Sequence, residues 1–422
     1  MAFSQGVSGL SAAASNLDVI GNNIANSATV GFKSGSVQFA DLYAGSRIGV
    51  GTQVTGVMQN FSAGTVQTST KPLDIAITNG DGFFRVKGPG GEVGFTRNGQ
   101  FNMDKDGYIV NAAGMQLTGY QVSSNGAVVP GTPSALQLPP SAMAPNATTG
   151  VKAQFNLDSR SALIPATPAF DANKSSTYNY ANAVTVFDSL GNSHELSTYF
   201  AKTAANTWSV YATADGYPLT STGAMVAPPT TTGPPAVVNS AALTSGALTF
   251  SNSGAMLGTS PVSFAGLDFA NGSKPLNFSA DLSGTTQFGS ANDVKKLSQD
   301  GFTSGQLASF AVGQDGTISG KYSNEQSKTL GQIVLASFAN PNGLQHKGDN
   351  IYVETSASGQ PLTGSPGSGN KVGALTSGAV EASNVDLTAE LVNLIIAQRA
   401  YQANAQTIKT QDQVSQTLIN LR

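Results

Sequence analysis

The sequence predicts mainly β middle and outer domains between two long α-helical ends that pair as a coiled coil, in a nested, discontinuous multidomain chain. Three observations lead there. Heptad spacing of apolar residues is confined to the two ends, and Asn-Gly and Asp-Gly pairs punctuate the middle. A stretch of different composition, roughly 147–283, separates two clusters of those pairs.

Near the start, Phe3, Val7, Leu10, Ala14, Leu17, Gly21 and Ile24 alternate at spacings of four and three. That is a heptad seam, and Ala12, Ala13 and Ala14 permit close helix approach. Asn22, Asn23, Asn26 and Gly31 are helix-ending residues that close the segment. At the other end Leu387, Leu391, Leu394, Tyr401, Ala405 and Ile408 repeat in the same way, and Val414, Leu418 and Leu421 extend the stripe. Ser383 or Asp386 can cap this helix, with Glu390 in its first turn favouring the dipole. No Gly or Pro interrupts 384–422, so a continuous helix there would be about 58 Å long.

The middle reads as β. Hairpin-type pairs occur at 79–80, 81–82, 98–99, 106–107 and 125–126, and again at 300–301, 315–316 and 342–343. Short alternating runs such as FFRVK (83–87) and QIVLASF (332–338) lie between them. The 147–283 stretch is read as an inserted β block, and its Pro/Thr-rich tract 225–238 as a long loop. The order is end helix, β block, insert, β block, end helix.

Composition narrows the function. Of 422 residues 40% are hydrophobic, enough for real cores, but only 11% are charged where about a quarter is usual. With 21 basic against 24 acidic residues there is no electrostatic footprint for nucleic acid or an anionic membrane. The absence of cysteine excludes disulfides, thiol nucleophiles and thiolate metal sites. The N-terminus lacks a basic region followed by an apolar core, so no cleavable signal is expected, and no run is long and apolar enough for membrane insertion.

Catalytic readings find little support. His194 and His346 have no second His or Cys nearby, so no metal site is expected. NMDKDG (102–107) resembles a calcium loop but carries Ala113 where the bidentate Glu belongs. KGPGGEVG (87–94) lacks the strand–helix setting of a nucleotide loop. Asp104, Asp106 and Asp315 have no supporting glycosidase signature. Trp208 is read as core of the insert. The expectation is no enzyme, no metal and no cofactor.

The ends are the informative part. Two isolated helices bury too few apolar side chains to offset the entropy of ordering them. Both are therefore expected to fold together when copies of the chain stack.

At this point the residues become recognisable. LDVIGNNIANSATVGFKSGSVQF (17–39) resembles the signature of the flagellar rod/hook axial protein family. PLDIAITNGDGFF (72–84), FTRNGQFNMDKDGYIVNAAGMQLTGY (95–120), YSNEQSKTLGQIVLASFANPNGL (322–344) and ASNVDLTAELVNLIIAQRAYQANAQTIKTQDQ (382–413) are similar to its hook and distal-rod branch. The length of the insert favours hook over distal rod or junction component, and a secreted β-rich adhesin is the remaining alternative.

The resemblance implies an exported, extracellular, self-assembling structural subunit with its terminal helices (1–32, 382–422) around a central channel. It implies a linker (33–71, 363–381), a middle β domain (72–146, 284–362) and an outer one (147–283). Helix packing falls to Val7, Leu10, Ala14, Leu17, Ile24, Leu387, Leu391, Leu394, Tyr401, Ile408 and Leu418, and an assembly or export motif to Asn22, Asn23, Asn26, Gly31 and Phe32. The implied partners are further copies of itself, the distal rod, the hook cap, the hook-filament junction proteins and the export apparatus.

Overall fold

The computed structural model describes residues 2–42, 51–123, 126–138, 142–226, 240–243, 247–258, 261–367 and 372–420. The chain is mostly β with one long helix at each end, α1 (Ala2–Ala25) and α2 (Leu387–Asn420). It forms two compact units. The first comprises Met1–Pro140, Ala308–Lys321 and Ser327–Arg422, and the second Ser141–Leu307 with Tyr322–Gln326. The Pro/Thr-rich tract lies largely outside the described residues.

In the first unit, β1 (Gly35–Leu42) and β2 (Gly51–Gln59) form an antiparallel hairpin. Outgoing and returning chain then zip together: β3 (Val66–Thr68) pairs with Ala379–Glu381, and β4 (Ile75–Thr78) with Ala374–Ser377. Beyond them a large sheet runs through β5 (Phe83–Lys87) and β6 (Val93–Thr96). FFRVK forms β5 as the pattern suggests, whereas QIVLASF is divided between two strands with Val334 between them.

The core is aliphatic around Ile75, Ile77, Val86, Ile109, Leu117, Ile318 and Ile333, with Phe84 and Phe101 edge to face inside it. A separate aromatic cluster joins Phe83, Phe95, Phe338 and Tyr352 to Phe61. Burial there pushes the Tyr352 phenol up to about 12. Asp104 Oδ1 accepts from the amides of Asp106 and Tyr108, so the calcium-like sequence is an Asx turn closed by Gly107 at φ +83°.

The second unit extends past 147–283 at both ends. Its strand Gly150–Asp158 pairs with Thr286–Phe288 and Asp293–Gln299, and these late strands therefore belong to it. Two sheets share one core containing Phe155, Phe200, Trp208, Phe264 and Leu267. Trp208 is fully buried, and its indole N–H donates to Gln287 Oε1 at 2.7 Å.

His194 lies on the strand Ser193–Ala204, buried between two carboxylates. Its Nδ1 is 2.7 Å from Asp215 Oδ2, its Nε2 is 3.3 Å from Asp188 Oδ2, and its ring stacks on Phe269. Burial by itself would lower the imidazole pKa, but Asp215 and Asp188 outweigh it and hold it above its ordinary value. Burial opposes ionisation of Asp188 too, yet donors from Asn192, Asn271 and His194 hold it well below the usual carboxylate range.

A raised folded pKa means that the His194 contribution is complete below about 6.5 and fades as pH climbs through the raised value. His194→Gln is expected to cost roughly 1–2 kcal/mol near pH 5.5 and clearly less near pH 8.5. Fluorescence of Trp208, the single tryptophan, reads this unit during urea unfolding. Equal losses at both pH values would overturn this account.

Candidate assembly interface at the chain termini

Helix α1 forms because its first 25 residues contain no proline and alternate small with apolar side chains. Asp386 caps α2, its Oδ1 accepting from the amides of Thr388 (2.9 Å) and Ala389 (3.1 Å), which selects it over Ser383.

The heptad seam that α1 buries lies one residue away from the apolar stripe. Gly6, Ala13, Ile20 and Asn23 are buried, with Gly9 and Asn16 half-buried between them. The reason is steric. A Cβ at Gly9 would sit 2.9 Å from Asn404 Oδ1, and one at Gly6 would sit 3.0 Å from Ile408 Cγ1. The two helices approach where α1 has no side chains, and the bulk of Phe3 and Val7 is left outside, 53% and 44% exposed.

Of the residues expected to pack, Leu10, Ala14, Leu17, Ile24, Leu394 and Ile408 are half-buried. Val7, Leu387, Leu391 and Tyr401 stay exposed, and the side chain of Leu418 is outside the described residues. The side of α2 toward α1 instead carries Leu394, Ala397, Asn404 and Ile408. Fifteen of the twenty-four exposed large hydrophobics among the described residues lie on α1, the strands up to Val66, or α2. This surface is unfinished.

The motif residues build a polar junction. Asn23 is 1% exposed. Its Nδ2 donates to Gly35 O (2.8 Å) and Glu390 Oε1 (3.1 Å), and its Oδ1 accepts from the Gly35 amide (2.9 Å), tying α1 to β1 and to the first turn of α2. Asn26 Nδ2 donates to Asn22 Oδ1, and both line a 410 Å³ cleft with Phe32, Gln59, His346 and Asn350. Gly31 has φ +71° and donates its amide to Glu381 O, and a Cβ there would sit 2.6 Å from Asn98 N. Only glycine fits.

Beside it is a charge cluster with no counterpart in the sequence reading. Lys33 Nζ donates to Glu381 Oε1 at 2.6 Å and to Ser62 O at 2.7 Å. Arg97 Nη1 donates to Glu381 Oε2 at 3.3 Å, and the Gly64 amide to Oε1 at 2.8 Å. All three charged side chains are at most 2% exposed. Burial, with the Arg97 charge added, lowers the Lys33 ammonium pKa, and Glu381 opposes the shift. Arg97 Nε has no partner among the described residues. Asn384 completes the knot, accepting from the Ser34 amide and donating to Asn60 O. Isolated charges at or just beyond strand ends, as Lys33, Arg97 and Glu381 are, have no periodicity, so pattern reading passes over them.

No group of three or more His, Asp or Glu side chains among the described residues could hold a metal. No helix among them is long and apolar enough to cross a membrane.

Removing Glu381 leaves Lys33 without a carboxylate partner and Arg97 with only the exposed Asp81 at 4.0 Å, whereas removing Lys33 leaves Glu381 paired with Arg97. Glu381→Met should therefore cost about 3–5 kcal/mol and Lys33→Met at least ~1–2 kcal/mol less. Urea unfolding by circular dichroism, with Trp208 fluorescence marking the second unit, measures both, and equal costs would remove Glu381 from its central role.

Four family profiles match in chain order: "Flagella basal body rod protein" over 4–33, "Flagellar hook protein FlgE/F/G D1 domain" over 76–152, "Flagellar basal body protein FlaE D2 domain" over 156–302 and "Flagellar basal body rod FlgEFG protein C-terminal" over 376–421. Flagellar hook protein FlgE of Escherichia coli (strain K12) is 46% identical over 100% of both chains. That of Borreliella burgdorferi is 32% identical over 99% of this chain and 98% of its own. The crystal structure of Helicobacter pylori flagellar hook protein FlgE2 shares the fold, with a TM-score of 0.52 at 15% identity over 75% of this chain and 100% of that one. The full-length identity to these hook proteins and the family matches in chain order show that the chain belongs to the flagellar hook protein family, as a structural subunit and not an enzyme.

Proposed function

We propose that this hook subunit polymerises into a curved, flexible tube that transmits torque from rod to filament, and that its terminal segments finish packing only between copies. The observation that carries this is the concentration of exposed apolar side chains on α1, the β1–β2 hairpin and α2.

In this reading the ends (1–32, 382–422) pair as a coiled coil in the inner layer of the tube. Residues 33–71 and 363–381 link it to the middle β domain, whose strands are those of the first unit, and the insert, extended to Ser141–Leu307 with Tyr322–Gln326, is a separate domain of a nested chain. Val7, Leu387, Leu391 and Tyr401, which the single chain leaves exposed, are the positions a neighbouring copy covers. The partners at the two ends of the tube are the distal rod and the hook-filament junction proteins, with the hook cap present during growth. The flagellar export apparatus delivers the chain to the extracellular tip.

Bending requires subunits to slide. Protofilaments inside the curve shorten and those outside lengthen on every turn. A chain with only 11% charged residues and abundant Ser, Thr, Asn and Gly has few fixed ion pairs to break during sliding.

The full chain and one lacking residues 1–24 and 387–422 separate this reading from its alternatives. Electron microscopy should show long curved tubes from the full chain only, with a gain in helical circular dichroism on assembly. The shortened chain should stay folded and monomeric. Tubes from the shortened chain would refute the reading, and short rings from the full chain would favour a rod or junction role.

A further inference from the structure

Two of the exposed apolar patches among the described residues of the first unit differ in shape. On α2, Leu387, Leu391 and Ile395 form one line and Val392 and Ile396 the adjacent line of a single helical face, each side chain 45–60% exposed. That face is distinct from the side carrying Leu394, Ala397 and Asn404 toward α1. On the hairpin, Val37 is directly opposite Val57 and Phe39 opposite Val54, so the four side chains share one face of the two strands. Phe39, Val54 and Val57 are 38–54% exposed.

We infer that the apolar face of α2 in one copy seats on the hairpin face of the next copy. The inference rests on the polymer reading above and deepens it. A patch that met its own duplicate would close a two-fold dimer and stop growth. An open helical polymer needs a head-to-tail contact between two different surfaces of the same chain. The convex helix stripe and the pleated hairpin face meet that requirement.

Charge permits the match. The only charged side chain in 387–396 is Glu390, whose Oε1 accepts from Asn23 within the chain. The two cross-strand pairs of the hairpin carry none. Neither face meets an unpaired charge on docking.

Size also fits. With Val37 half-buried the hairpin face is the smaller of the two, and the residues left exposed on both faces together stay well below the ~1,200 Å² of a stable two-protein interface. One such contact does not hold two free copies together. Repeated along a lattice, where each copy is also gripped elsewhere, it does. The subunit therefore stays monomeric until it joins a growing end.

The absence of cysteine makes a clean test possible. Two single variants, Ile395→Cys and Val57→Cys, are mixed in equal amounts, polymerised and oxidised, so that any crosslink between the two sites joins different copies. A heterodimer band much stronger than either homodimer is expected. Separately, Val57→Glu should raise the critical concentration for assembly at least about tenfold, and adding Ile395→Lys should restore most of it. Tubes that form normally but give only Ile395–Ile395 or Val57–Val57 dimers, or no crosslink, would overturn the pairing while leaving the polymer reading intact. An unsubstituted chain that never polymerises would overturn both.

Discussion

A buried carboxylate holds the first unit to a single arrangement of its termini. Glu381 accepts from Lys33, Arg97 and the Gly64 amide, three points that lie far apart in sequence. A carboxylate so fully removed from water is tolerated only when it is paired and hydrogen-bonded. The outgoing chain at Lys33 and Gly64, the β domain at Arg97 and the returning strand all meet at this one group. Neighbouring backbone bonds, Gly31 to Glu381 and Ala382 to Thr65, follow from the same meeting. The direction in which α2 leaves is then set by Asn23 and Glu390 just beyond.

The helix pair is assembled on a different principle. Gly6 and Gly9 give α1 a bare strip against which Asn404 and Ile408 rest. Close approach of this kind gains dispersion contacts while burying few large side chains. The chain therefore keeps its bulky residues, Phe3, Val7, Leu387, Leu391, Ile395 and Ile396, for surfaces it does not itself cover. Strong internal coverage would have made a stable monomer with nothing left to polymerise. The polar junction anchors the ends, and the apolar faces stay available.

The second unit shows the opposite character. Its core closes on itself around Trp208, Phe155 and Phe264, and polar groups at its turns, such as Asp188 and His194, are satisfied locally. Among its described residues the exposed large hydrophobics, such as Leu163, Leu190 and Leu257, are fewer than at the chain termini.

Much of this was legible in the residues. The helices at 2–25 and 387–420, the β character between them, the turns at Asp106-Gly107 and Asp315-Gly316 and the buried place of Trp208 all follow from local periodicity, turn chemistry or side-chain size. These are properties of short windows, which a linear pattern records directly. The phase of the helix contact, the reach of the second unit to Leu307 and the pairing of Lys33 and Arg97 with Glu381 were decided only in three dimensions. A heptad pattern shows which side chains are apolar but not whether its own chain or another will cover them, and glycine leaves no hydrophobic trace of the seam it makes. Ion pairs hundreds of residues apart have no spacing to read, because their partners are chosen by strand register and burial alone.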